Sequence, residues 1–427
     1  QRGHESAPTR LLIGHNVGVD GFAYKDFRSV EEAFRRQLKR IDGGAAVCVY
    51  HRGKPVVDLW GGERTEGDPW ESDTVAMCFS TTKGVASTAL HILADRGEVD
   101  YDERVATYWP EFAANGKADI TVRHVLTHSS GLHRIRSLVD HGSRLHDWDH
   151  MVEALAAAEP AYEPGTRHGY HALTYGWLVG EIVRRASGQG IAAFVDSEIA
   201  APLDLDGLYI GLPASERGRE APLKALNIPR IGNRRLRQLE KRIGTQMGKM
   251  VSAMPGPLNT RRIVNALAPR NVEEAFFGAG IFDAALPAAN GFFTARSLGR
   301  MYAALAGWGE VDGVRILSAE TVGRISTVQR RGRDHVLVLP MDWRLGYHRV
   351  FTTRGPLSTG FGHFGFGGSG AWADPSRDLA LGFVCSRGSG TPVGDFRIME
   401  LGGAAVRSAE KASRRMREEP EPETAAA

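Results

Sequence analysis

The chain has 427 residues, 42% of them hydrophobic and 24% charged, so it can bury a sizeable core and exceeds the usual size of one compact unit. Its formal charge of +3 is scattered over 53 basic and 50 acidic residues, which excludes the strongly basic balance of a nucleic-acid binder. No run of about 18 apolar residues occurs, which excludes an apolar spanning helix, and Cys48, Cys78 and Cys385 lie far apart on apolar stretches, as reduced core thiols do. Such thiols point to a reducing, cytoplasmic setting. The polar opening Gln1-Arg2-Gly3-His4-Glu5 is unlike a signal peptide, although without an initiator Met a trimmed leader stays open.

In chain order, Ala45–Tyr50 and Pro55–Trp60 flank the turn His51-Arg52-Gly53-Lys54, which predicts a β-hairpin closed by Gly61-Gly62. From Ser80 to Arg96, Val85, Ala89, Ile92 and Leu93 recur at helical spacing with small residues between them, which predicts a helix buried at the centre of the molecule. Helical patterns follow over Val122–Leu126, Met151–Ala158 and Leu173–Ala186. Strands return at Gly370–Ala373 and Leu379–Cys385 around the turn Asp374–Asp378, and a helix over about Phe396–Ala412 ends the fold. The expectation is an α+β fold: one antiparallel sheet built from both chain ends, with a helical lobe inserted between them and an active-site cleft at the junction. In residues, 1–78 plus 280–412 form the sheet-bearing lobe, 79–279 form the mainly helical lobe with a basic insertion at about 214–275, and 413–427 form a disordered tail.

Three constellations carry chemistry. Ser80 and Lys83, in Ser80-Thr81-Thr82-Lys83, share one helical turn, so a hydroxyl nucleophile sits beside an activating amine. Glu163-Pro164-Gly165-Thr166-Arg167-His168-Gly169-Tyr170 is a turn-rich loop that delivers Tyr170 just before a helix. Gly362-His363-Phe364-Gly365-Phe366-Gly367-Gly368 ends a late strand with glycines that permit close backbone approach. Taken singly, Tyr170 reads as a half-buried aromatic and the glycine run as a bulge or turn.

Together, in this order, they resemble the serine β-lactamase-like hydrolases, and within that superfamily the class C β-lactamase and family VIII carboxylesterase branch. Val125–Leu132, Tyr162–Thr166, Tyr175–Glu181 and Pro287–Gly291 are similar to the same group, so the likeness runs from roughly 40 to 405 and is weakest over about 214–275. The resemblance implies a β-lactamase/transpeptidase-like fold, Ser80 as nucleophile with Lys83 and Tyr170, backbone N–H groups of Ser80 and Phe366 as the oxyanion hole, and no cofactor or metal. It sets Asn290 beside the substrate. His363 stands where the β-lactamases carry the Lys of Lys-Thr-Gly, and Ala172 where they carry the Asn of Tyr-x-Asn. A mostly neutral imidazole holds a carboxylate less well than an ammonium does. Both departures point away from anionic β-lactams and peptides and toward uncharged esters.

Either Lys83 or Tyr170 can take the serine proton. A phenolate at neutral pH costs about 4 kcal/mol from an ordinary tyrosine, and a neutral lysine needs a similar shift by desolvation, so the two are assigned jointly. His363 joins them as a catalytic candidate that could bond the oxyanion or the leaving group. Gly365 would let the strand pass close to the substrate carbonyl. Phe364 and Trp148, with Phe361, Phe366 and the pairs Phe276-Phe277 and Phe292-Phe293, are candidates for an apolar acyl pocket, though most such aromatics belong to cores.

The expected function is a serine esterase or lipase acting on small-molecule or lipid esters of short to medium acyl chain through an acyl-enzyme. The alternatives are a β-lactamase or D-amino-acid peptidase, and a non-catalytic penicillin-binding-like scaffold. No Gly-x-Ser-x-Gly elbow is present. His124 and His128 stand four apart but lack the Glu of a zincin pattern. Between Arg217 and Lys249 ten bases face only Glu220 and Glu240, and Arg234–Ile243 has an amphipathic pattern followed by Met247, Met250 and Met254. That segment reads as a solvated helix or, alternatively, as a lid that meets a lipid surface.

Overall fold

The computed structural model describes residues 10–12, 18–41, 43–223, 265–267, 269–386 and 396–418. Among them a nine-stranded antiparallel sheet dominates. In spatial order its strands are Arg10–Leu12, Val19–Tyr24, Lys54–Thr65, Gly44–His51, Leu379–Cys385, Gly370–Asp374, Gly355–Phe364 and His348–Thr352, with Asp68–Pro69 pairing onto Lys54–Thr65. The two ends of the chain meet where Val47 pairs with Phe383 and Val49 with Leu381. This is the β-lactamase/transpeptidase-like α+β fold.

Strand periodicity explains why Gly44–His51 is buried along its whole length. Ala45, Val47 and Val49 join the core beneath the helices Arg28–Leu38 and Phe396–Glu418, whereas Ala46, Cys48 and Tyr50 join the core shared with the helix Ala295–Ala306 and the middle of the chain. The helix Thr82–Asp95 lies within that second core, every residue from Thr82 to Leu93 buried, and packs against Thr174–Ser187. Thr174–Ser187 stops at Gly188, whose φ of 74° suits a residue without a Cβ. Trp148–Ala157 starts on Asp147, whose carboxylate caps the N–H of His150.

Two boundaries differ from expectation. The strand Lys54–Thr65 runs on past Gly61-Gly62, because Gly61 pairs with Val19 and with Ala45 and so stays inside the sheet. The last helix continues to Glu418, so residues 413–418 are helical and not part of a disordered tail. Helix-forming Arg and Glu extend it, and tertiary contacts anchor it: Arg415 pairs with Asp26 at 3.0 Å and Arg52 reaches the Met416 sulfur at 3.2 Å. Residues 419–427 and most of the basic insertion, 224–264, lie outside the described residues.

Cys48, Cys78 and Cys385 are all buried and form no disulfide. No helix among the described residues is long and apolar enough to cross a membrane.

Candidate active site

The short strand Val75–Met77 feeds a tight turn and then the helix Thr82–Asp95. Phe79, immediately before Ser80, sits at φ 45°, a left-handed conformation that costs a non-glycine residue about 1–3 kcal/mol. The turn is stapled to the strand Gly291–Phe293: Cys78 N–H donates to Gly291 O at 2.8 Å, and Gly291 N–H to Thr82 Oγ1 at 2.9 Å. From the other side the end of Gly355–Phe364 closes in. A Cβ at Gly365 would stand 2.2 Å from Cys78 O and 3.0 Å from Thr81 Oγ1, so only glycine fits. Its closeness is therefore to the backbone that carries Ser80.

Ser80 Oγ lies 2.9 Å from Lys83 Nζ and accepts the Tyr170 hydroxyl at 2.7 Å. Lys83 Nζ also donates to Ala172 O at 2.6 Å and Ala288 O at 3.0 Å. Those two carbonyls use both hydrogens of a neutral amine and leave its lone pair for the Ser80 hydroxyl. Burial pushes the Lys83 amine well below the ordinary lysine range. Burial lifts the Tyr170 phenol above its ordinary value, against a smaller opposing pull from the Ser80 hydrogen bond. Both directions favour a neutral amine beside a protonated phenol.

Tyr170 is held by residues with no sequence signal. Asp334 accepts the Tyr170 backbone N–H at 3.0 Å, the N–H groups of Val336 and Leu337 at 2.8 and 2.9 Å, and the Trp343 indole N–H at 3.0 Å. Burial raises the Asp334 carboxyl, against a smaller opposing pull from these donors. The Trp343 ring lies parallel to Tyr170 at 5.6 Å, and His128 stands edge-on to Trp343 at 4.2 Å. His171 donates from Nδ1 to Gly169 O at 2.7 Å, so its Nε2 accepts from Leu132 N–H and Ser130 Oγ, and burial lowers this imidazole to about 3. His124 and His128 each use Nδ1 to accept a backbone N–H, from Thr121 and His171 respectively, and no metal-holding group of His, Cys, Asp and Glu occurs among the described residues.

His363 is buried in the strand Gly355–Phe364, its ring 6.2 Å from that of Tyr170. Burial, with His348 and Lys83 nearby, keeps it well below the ordinary imidazole range, and its Nε2 has no hydrogen-bond partner among the described residues.

Three substrate-binding expectations are corrected. Phe364 points to the opposite face of the sheet from His363, into the core with Trp372 and Ile398. Trp148 lies over Gly180 and donates its indole N–H to Glu181 at 3.1 Å, which gives it a packing role. Asn290 is fully buried and its side chain is saturated, accepting from Leu286 N–H and donating to Ile281 O and Ala284 O. It braces the loop that aims Ala288 O at Lys83. Phe361, Phe292 and Phe293 are core residues. The aromatics that do gather beside Ser80 are Phe79, Phe366 and Phe276, all half-buried: Phe79 meets Phe366 edge-on at 5.6 Å and Phe276 at 5.7 Å.

Comparison with known proteins identifies the family. The profile of the family described as beta-lactamase matches residues 30–404. The chain belongs to the beta-lactamase family. This family member is 39% identical to the esterase/beta-lactamase LipL of Mycobacterium tuberculosis over 376 residues, 86% of this chain and 83% of LipL. A family VIII carboxylesterase structure superposes with a TM-score of 0.78 at 34% identity, covering 91% of this chain and 99% of that one. A penicillin-binding protein homologue from Caulobacter crescentus superposes at 0.75 and 33% identity, covering 91% and 99%. The chain is thus a serine hydrolase of the beta-lactamase family with esterase relatives.

Proposed function

We propose that this chain is a carboxylesterase that hydrolyses uncharged esters of short to medium acyl chain through an acyl-enzyme on Ser80. The observation that carries the reading is the Ser80 Oγ held at once by Lys83 Nζ, 2.9 Å away, and by the Tyr170 hydroxyl, 2.7 Å away. Neutral Lys83 takes the serine proton as Oγ attacks the ester carbonyl. The oxyanion is met by the N–H groups of Ser80, in the tight turn that leads into the helix Thr82–Asp95, and of Phe366. The proton leaves with the alcohol by way of Tyr170, which touches the same oxygen, and water repeats the sequence to release the acid. A non-catalytic scaffold would have no use for three mutually bonded groups of this kind.

Substrate charge follows from His363 and Ala172. The imidazole in the place of a lysine is neutral, and Ala172 offers only a carbonyl already bonded to Lys83, so neither anchors a carboxylate. The apolar mouth made by Phe79, Phe276 and Phe366 suits a small-molecule or lipid acyl chain. LipL carries both esterase and beta-lactamase in its name, which keeps residual β-lactam turnover as a second reading. Purified protein and its Ser80→Ala variant, assayed with p-nitrophenyl butyrate and nitrocefin, test the proposal. Ester turnover should exceed nitrocefin turnover and vanish in the variant; surviving ester turnover refutes the nucleophile, and faster nitrocefin turnover reverses the substrate ranking.

A further inference from the structure

A cavity of about 280 Å³ opens beside the Tyr170 loop, walled by Arg167 and His168 from that loop and by Arg330, Arg331, Arg333 and His335 from the segment across it. The walls are tied together. His335 N–H donates to His168 O at 2.8 Å, and Asp334, between Arg333 and His335, accepts the Tyr170 N–H at 3.0 Å. None of the four arginines forms an ion pair with a described residue. Two nearby carboxylates are otherwise placed: Asp334 is buried with both oxygens engaged by four N–H donors, and Glu163, in the same turn as Thr166, is exposed and forms no ion pair with a described residue.

Guanidinium groups stay charged at any physiological pH, so this cavity concentrates four fixed positive charges with no carboxylate among them. Such forks match carboxylate and phosphate oxygens in pairs, and a single carboxylate would neutralise only a quarter of the charge. The volume lies just under the range of about 300–1,000 Å³ that takes a whole small molecule, which suits a headgroup. We propose that this cavity binds a phosphoryl group. The group belongs either to a substrate that reaches past Tyr170 toward Ser80 or to a separate phosphorylated effector. In both cases it bridges the two segments that hold the Tyr170 backbone. The inference goes beyond ester hydrolysis, and its binding is read without turnover.

The test is calorimetric titration of the full chain with inorganic phosphate, against sodium chloride at equal ionic strength. Wild type should show saturable binding, weakened about tenfold or more in Arg330→Gln/Arg331→Gln, each lost guanidinium removing charge-assisted bonds. Arg167→Gln, on the facing wall, should weaken it independently and serves if the double variant fails to fold. Phosphate heats no different from chloride, or equal affinity in folded variants, overturn the proposal. With p-nitrophenyl butyrate, a phosphate-dependent change in kcat identifies an effector site; competition only against an ester bearing a phosphoryl tail identifies a substrate subsite. Binding with neither kinetic effect overturns both assignments.

Discussion

Replacing Lys83 with Met separates catalysis from stability at one atom. The variant keeps a chain of similar length but loses Nζ, which lies 2.9 Å from Ser80 Oγ. If Lys83 is the base, kcat/KM should fall by about 10²–10⁴-fold, the usual contribution of general base catalysis. Two stability terms oppose each other. Removing Nζ orphans the buried carbonyls of Ala172 and Ala288, at up to about 1–3 kcal/mol each. The wild-type amine carries the opposite burden, because burial lowers its folded pKa below the unfolded value. Above the unfolded lysine pKa neither state binds the proton. As pH falls from there to the folded pKa, only the unfolded chain binds it, so native stability declines by about 1.4 kcal/mol per unit and stays reduced at lower pH. Met escapes that loss. Lys83→Met should therefore melt close to wild type at neutral pH and less favourably than wild type at strongly alkaline pH. Thermal melts at both pH values, with p-nitrophenyl butyrate kinetics, check this; a folded variant that retains more than a tenth of wild-type kcat/KM would remove Lys83 from the base role.

Other expectations follow from the same geometry. Asp334→Asn keeps an oxygen for the three backbone N–H groups on Oδ1 but sets an amide N–H against the Trp343 indole N–H on Oδ2, so it should cost about 1–3 kcal/mol in urea unfolding and lower kcat more than it raises KM, since the loosened ring is the Trp343 stacked on Tyr170. An unchanged kcat in the folded variant would show that Tyr170 does not depend on this brace. Gly365→Ala would place a methyl 2.2 Å from Cys78 O, forcing the strand end off the Ser80 turn; overpacking of this kind costs about 1–3 kcal/mol, and esterase activity should drop by more than tenfold, with wild-type activity as the contrary result. Burial lowers His91 and His171 to about 3 and His348 to about 4. Below the unfolded histidine pKa of about 6.5 only the unfolded chain takes up these protons, so together they withdraw roughly 4 kcal/mol of stability per pH unit down to pH about 4. Circular dichroism across pH 7 to 4 should show cooperative acid unfolding within that window, and a fully native signal at pH 4 would contradict it.

What the sequence by itself determined is local. The i, i+3 spacing of Ser80 and Lys83, the strand Leu379–Cys385 and the helix after Tyr170 depend on contacts within a turn or two, so periodicity and turn chemistry expose them. The order of the three constellations was enough to place the chain in its family. The tertiary structure alone decided which partners those residues meet. Ala172 O, Ala288 O, Asp334 and Trp343 reach the site from 89 to 260 positions away from Lys83, and a carbonyl or a buried Asp has no sequence signature. Strand alternation separated Phe364, which faces the far core, from His363 beside Tyr170, a difference of one residue that depends on which face the sheet buries. Proton state was likewise out of reach of the sequence, which left Lys83 and Tyr170 as equal candidates for the base. Desolvation is the sum of everything packed around a group, and here it favours the neutral amine and the protonated phenol.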